Sequence, residues 1–142
     1  MSYSDEPHAL AEPLDMYDLE LQVHDGIAVM SRCARELAEA GMNIDAVNYS
    51  GVNGTAALHL LVQDGPEALR ILAGGHVSAT CRPVLVYTLP NQPGTLARYS
   101  GALLTDAVRI DFIYQATAKG VVVAAPDLAA VRASFSAAAA GG

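Results

Sequence analysis

The chain has 142 residues, a net charge of −7, 52% hydrophobic residues and only 16% charged ones. That length suits one domain, or two small modules sharing a core that needs neither disulfides nor metal. The composition excludes a disordered chain, and no apolar run approaches the roughly 20 residues of a membrane span.

Residues 1–20 hold six acids (Asp5, Glu6, Glu12, Asp15, Asp18 and Glu20) and no Lys or Arg, while the rest of the chain sets nine acids against eight cations. Those cations are scattered, so the basic patch a nucleic-acid partner requires is missing. The N-terminus lacks the basic and apolar regions of a signal peptide, and a cytoplasmic protein is expected. Two cysteines, Cys33 and Cys81, are too few for a disulfide framework.

Leu19, Leu21 and Val23 alternate with polar residues and predict a half-buried strand. His24-Asp25-Gly26 breaks it. A helix follows, with Ile27, Met30, Cys33, Leu37 and Ala40 on one face and Gly41 as its stop. Ile44–Tyr49 and Ala56–Val62 are predicted strands, joined through Asn53-Gly54, a pair suited to positive φ. Asp64 is placed to cap a short helix with Pro66 in its first turn, and Gly74-Gly75 ends it. Val77–Cys81 can be a fourth strand. The order is βαββαβ.

The second half repeats that order. Val84–Leu89 is a predicted strand, and Pro90-Asn91-Gln92-Pro93-Gly94 breaks it. Thr95–Leu104 reads as a helix with Leu96, Tyr99 and Leu103 on its core face. Arg109–Gln115 and Val121–Ala124 are predicted strands. Pro126–Phe135 is a helix with Asp127 at its favourable end. Ile44-Asp45 matches Ile110-Asp111 and Gly54 matches Gly120, both 66 residues apart, and Gly26 matches Gly94 at 68. After Phe135 no apolar residue larger than Ala remains to form a last strand. Either that strand is missing, or another segment completes the sheet. An open edge favours pairing with a second copy. The expected organisation is a disordered acidic lead at 1–14, a first module at 15–81, a second at 82–136 without an evident last strand, and an Ala/Gly tail at 137–142.

The two βαββαβ modules, the stretch Val84-Leu-Val-Tyr-Thr-Leu-Pro-Asn-Gln-Pro-Gly-Thr-Leu-Ala97 and the Ile-Asp pair opening the second strand of each half resemble tandem ACT domains. The likeness is to the stand-alone, two-module amino-acid-binding proteins of that family and covers about residues 15–136. It implies an α+β, ferredoxin-like fold: two modules sharing an antiparallel sheet with helices on one face. It also implies a non-enzymatic regulatory sensor, a homodimer assembled through its sheets, and a ligand at the strand-to-helix turns near a module interface. A separate regulated protein is a further possible partner. Two departures stand out: the first turn, His24-Asp25-Gly26, lacks the proline, and Arg109 stands where the first half has Asn43.

The residues support ligand binding on their own chemistry. A helix N-terminus offers unpaired N–H groups and a positive dipole end to a carboxylate. Gly26 and Gly94 leave that approach open, and Pro93 preorganises the second turn. Asp25, Asn43, Asn91 and Gln92 can accept from an ammonium, and Ile27, Ile44, Leu96 and Ile110 can form an apolar wall. The candidate contacts are therefore Asn91, Gln92, Pro93, Gly94, Thr95 and Leu96 in the second half, and His24, Asp25, Gly26, Ile27, Asn43 and Ile44 in the first. Bland roles compete: a surface loop for His24, an ordinary sheet-face position for His59, and backbone bonding for Asp45 and Asp111. The chain shows no nucleophile elbow, no phosphate-binding loop and no His-Glu-x-x-His. Cys33, Cys81, His59 and His76 lack zinc spacing, so neither metal nor cofactor is expected. Cys81 beside Arg82 is a weak candidate for a lowered thiol pKa. An interaction module without ligand is one alternative. A small enzyme using His24, Asp25, His59 and Asp111 is another, and it requires those four to converge.

Overall fold

The computed structural model describes residues 10–117 and 120–141. Ten elements follow one another: β1 (Leu14–Val23), α1 (Gly26–Glu39), β2 (Ala46–Val52), β3 (Thr55–Val62), α2 (Gly65–Gly74), β4 (Thr80–Thr88), α3 (Thr95–Thr105), β5 (Phe112–Gln115), β6 (Gly120–Ala124) and α4 (Leu128–Gly141). Local chemistry explains several boundaries. Asn53 and Gly54 sit at φ 53° and 81° and make the tight turn between β2 and β3. The Asp64 carboxylate accepts from the Glu67 N–H at 3.1 Å and caps α2. Asp127 does the same for α4, accepting from the Ala130 N–H at 3.1 Å. The Ala-rich tail continues α4 instead of leaving it, as alanine's helix propensity favours.

The strands form one antiparallel sheet in the order β2-β3-β1-β4-β6-β5. The expected fourth and fifth strands are a single strand, β4, so the expected boundary at 81/82 lies inside it. Pro83 is accommodated there because β6 pairs with β4 only from Leu85 onward. β1 runs alongside β4 from Leu14↔Val86 to Glu20↔Thr80. It therefore completes both halves: β2-β3-β1-β4 is one four-stranded unit, and β5-β6-β4-β1 is its counterpart. The last strand that the second half lacks in sequence is supplied from the chain's beginning. The open edge expected there is filled from within, and with it goes that reason for expecting a second copy. Of the expected disordered lead, residues 1–9 lie outside the described residues, whereas 10–14 belong to the folded body. Leu10 packs against the second core, Leu14 opens β1, and Arg132 on α4 reaches Glu12 and Asp15 at 3.4 and 3.0 Å.

Strand alternation sorts the core. Leu19, Leu21, Leu58, Leu60 and Val62 pack under Cys33 and Leu37 of α1 and Ala68 and Leu72 of α2. Leu85, Tyr87 and Val123 pack under Tyr99 and Leu103 of α3 and Val131 and Phe135 of α4. Cys81, Leu85 and Tyr87 share one face of β4, so all four helices cover the same side of the sheet. The other side is buried against itself. Met16, Leu61, Val84, Val86, Tyr114 and Val122 form a third cluster there. In a flat sheet β3 and β5, four strand spacings apart, would be separated by roughly 19 Å. Instead the rings of His59 and Phe112 approach to 4.5 Å between centroids. The sheet curls into a trough, and the Thr117 hydroxyl closes its rim by donating to the Asp45 carbonyl at 3.2 Å.

Candidate functional site

β4 ends at Thr88, and the chain turns through Leu89–Gly94 into α3. Gly94 sits at φ 90°, a conformation that side chains resist, and this is why a glycine opens the helix. No side chain caps α3. Its first turn is held only by backbone, with the Thr95 N–H donating to the Gln92 carbonyl at 3.3 Å and the Arg98 N–H to the Gly94 carbonyl at 2.9 Å. The uncapped end opens on a cavity of about 440 Å³, within the range of small-molecule sites. Asn91, Gln92, Thr95 and Leu96 form its rim. Tyr99, Leu103, Ile113, Val121 and Phe135 form an apolar floor, with Ser100 and Gln115 as polar additions. The Tyr99 and Phe135 rings meet at 4.9 Å and stiffen that floor. Leu96, expected on the core face of its helix, is instead 73% exposed, because α3 meets α4 and the sheet through Tyr99 and Leu103.

Four of the expected second-half contacts thus share one cavity, and Pro93 and Gly94 shape the turn beside it. The first half is built differently. A Cβ on Gly26 would collide with the Tyr49 ring and with the Ala56 side chain. Tyr49 stands where the 66-residue repeat puts Gln115, so an aromatic ring lies over the first turn while the second is open. His24, Asp25 and Ile27 are exposed around Gly26. Asn43 and Ile44 lie beyond the far end of α1, about 20 Å of helix from that turn. There the Asn43 amide donates to Asp45 at 3.0 Å, in a shallow depression shared with Asp64 and Glu67, and Ile44 packs against the first core. The first-half candidates therefore form two separate groups.

Sequence reasoning passed over a second polar centre, in the trough. Asp18 is fully buried and accepts from the Tyr114 hydroxyl at 2.6 Å. Its other oxygen is 3.0 Å from His59 Nδ1. The hydrogen bond to Asp18 raises the His59 pKa, against an opposing effect of burial. Burial, reinforced by the Asp18 hydrogen bond, raises that of Tyr114. Arg82 bridges to Asp111 at 2.8 Å and lies over the Phe112 ring. The only local signal for this centre is an acid inside an alternating strand, and a solvated face explains that equally well. The four residues of the enzyme alternative do not converge. His59 bonds to Asp18 and Asp111 to Arg82, and among the described residues no hydrogen bond joins any two of the four. Burial raises the pKa of both Cys33 and Cys81, so the thiol beside Arg82 is not activated.

No protein-family model matches the chain, and no curated relative matches it by sequence. Solved structures do match its shape. Protein BT0572 from Bacteroides thetaiotaomicron superposes with a TM-score of 0.72 at 20% identity, over 90% of this chain and 89% of that one. The ligand-free regulatory subunit of aspartate kinase from Thermus thermophilus gives 0.64 at 19% identity, over 90% and 97% of the two chains. The fold is the tandem ACT fold of aspartate kinase regulatory subunits. Aspartate kinase from Synechocystis contains a similar unit, with a TM-score of 0.67 at 17% identity, covering 99% of this chain and 29% of that one. Within this ACT fold the described helices include none long and apolar enough to cross a membrane.

Proposed function

We propose that the chain is a non-enzymatic regulatory sensor that binds a free amino acid in the cavity at its second strand-to-helix turn. The observation that carries this reading is the uncapped N-terminus of α3 opening into a cavity of about 440 Å³ with a polar rim and an apolar floor. A ligand carboxylate docks against the free N–H groups of the first helical turn. Asn91 and Gln92 accept from its ammonium, and Tyr99, Leu103 and Ile113 receive its side chain. Gly94 and Pro93 hold the turn in a form that needs little rearrangement on binding. The shape shared with regulatory subunits of aspartate kinase supports a regulatory role. In this reading the chain acts as a homodimer through its sheet edges, where Val47 and Val52 of β2 and Ile113 of β5 are exposed, and passes its state to a separate protein.

A thermal-shift screen against all twenty amino acids at millimolar concentration tests the reading. A ligand at 100 times its Kd adds about 2.7 kcal/mol, which raises Tm by roughly 5–10 °C in a chain of this size. A rise that is lost in Leu103→Asp but kept in Ile27→Asp supports binding at the second turn. A folded protein that responds to none of the twenty refutes it.

A further inference from the structure

The trough holds a cluster of ligating side chains away from the cavity at the second turn. Glu20 on β1 stands directly across from His59 on β3, and Asp18 precedes Glu20 by two residues, so all three project from one face of the sheet. One ligand atom from each lies within 4.8 Å of the other two. Among the described residues no Lys or Arg side chain bonds to any of the three; Arg82 is taken up by Asp111. Two carboxylates, one of them fully buried, thus face a single imidazole. With that imidazole protonated, one negative charge stays uncompensated beside a carboxylate that has no exposed surface, which is costly. A dication beside a neutral imidazole balances both carboxylates.

We propose that Asp18, Glu20 and His59 bind one divalent cation of the zinc class. One imidazole nitrogen and two carboxylate oxygens form the mixed donor set that borderline metals such as Zn2+ and Co2+ take, whereas Ca2+ and Mg2+ favour oxygen alone. The donors stand on adjacent strands within the sheet, whose pairing fixes their spacing. Tyr114 acts as a positioning residue: its hydroxyl holds the second oxygen of Asp18 and orients the carboxylate. The cation takes the place of the proton between His59 and Asp18, and that proton is released to solvent. Water completes the coordination on the half-buried side, at Glu20. A cation here ties β1 and β3 of the first half, through Asp18 and Tyr114, to β5 of the second.

The test titrates the full chain, stripped with chelator, with Co2+ and then with Zn2+. The expected result is one Co2+ per chain, seen as a visible absorption band and displaced by Zn2+. Glu20→Gln weakens binding by about tenfold or more, and His59→Gln abolishes it. His59→Gln also removes a bond to buried Asp18. Glu20→Gln leaves that bond in place and keeps the test decisive if the histidine variant folds poorly. Tyr114→Phe weakens binding while keeping the stoichiometry. Absence of saturable binding up to millimolar metal overturns the proposal. So does binding that Glu20→Gln and His59→Gln leave unchanged, which would locate the cation elsewhere, as at exposed His24 or His76.

Discussion

Tyr114→Phe tests the curl of the sheet most directly. The substitution removes one oxygen from a ring that is otherwise retained, so packing of the third cluster is preserved. The lost hydroxyl donates at 2.6 Å to a carboxylate with no exposed surface. A hydrogen bond to a charged group contributes about 1.5–3 kcal/mol, and the buried Asp18 oxygen is left with only the longer 3.2 Å contact to His59 Nδ1. The expected loss is about 2 kcal/mol, or roughly 4–8 °C in Tm. Urea unfolding in the presence of chelator measures it as a lower midpoint with an unchanged slope. Tyr49→Phe, at a residue that is 40% exposed and outside the third cluster, serves as the control and stays within about 0.5 kcal/mol. A double-mutant cycle with Asp18→Asn should give a coupling of about 1 kcal/mol or more. A cost for Tyr114→Phe below about 0.5 kcal/mol, or a coupling near zero, would mean that β5 does not close over β1 in solution.

Three further outcomes follow from the same contacts. The His59 pKa is raised in the folded chain above its unfolded value of about 6.5. The Asp18–His59 contact therefore contributes fully below about pH 6.5, and its contribution is lost as pH rises through the folded value. Unfolding midpoints taken in chelator between pH 5.5 and 8.5 should fall more steeply in the wild type than in His59→Gln, and equal slopes would refute the assignment. Gly94→Ala forces a side chain onto φ 90° and should cost about 1–2 kcal/mol, whereas Gly101→Ala, inside α3 with open space around it, should stabilise by about 0.4–1 kcal/mol. Calorimetry that ranked the two the other way would contradict the α3 boundary. Gly26→Ala should destabilise by about 1–3 kcal/mol through collision with Tyr49 and Ala56. Adding Tyr49→Ala should recover part of that loss, and the absence of any recovery would show that Tyr49 does not cover the first turn.

Much of this molecule is legible in its sequence, because much of it is local. Alternation at Leu19, Leu21 and Val23, the helical spacing of Cys33 and Leu37, the Asp64 cap and the Asn53-Gly54 turn each depend on residues a few positions apart. The 66-residue repeat extended that reading to a tandem fold, and Pro93-Gly94 pointed to the turn beside the cavity. Tertiary structure alone decided the rest. An alternating strand declares which residues face inward but not which strands lie beside it, so nothing local revealed that β1 serves both halves or that β4 is one strand. Nor did spacing along the chain disclose Asp18, Glu20, His59 and Tyr114 as a group, since the pairing of β1 with β3 brings the first three together and the curl of the sheet adds Tyr114 from β5. Leu96 and Tyr49 show the same limit at the turns. Helical spacing placed Leu96 inward, yet the contacts of α3 leave it outside, and a strand residue with no local mark covers the first turn. Periodicity records the burial of one face of an element, whereas a site arises from contacts between elements, which depend on the pairing and curvature of the whole sheet.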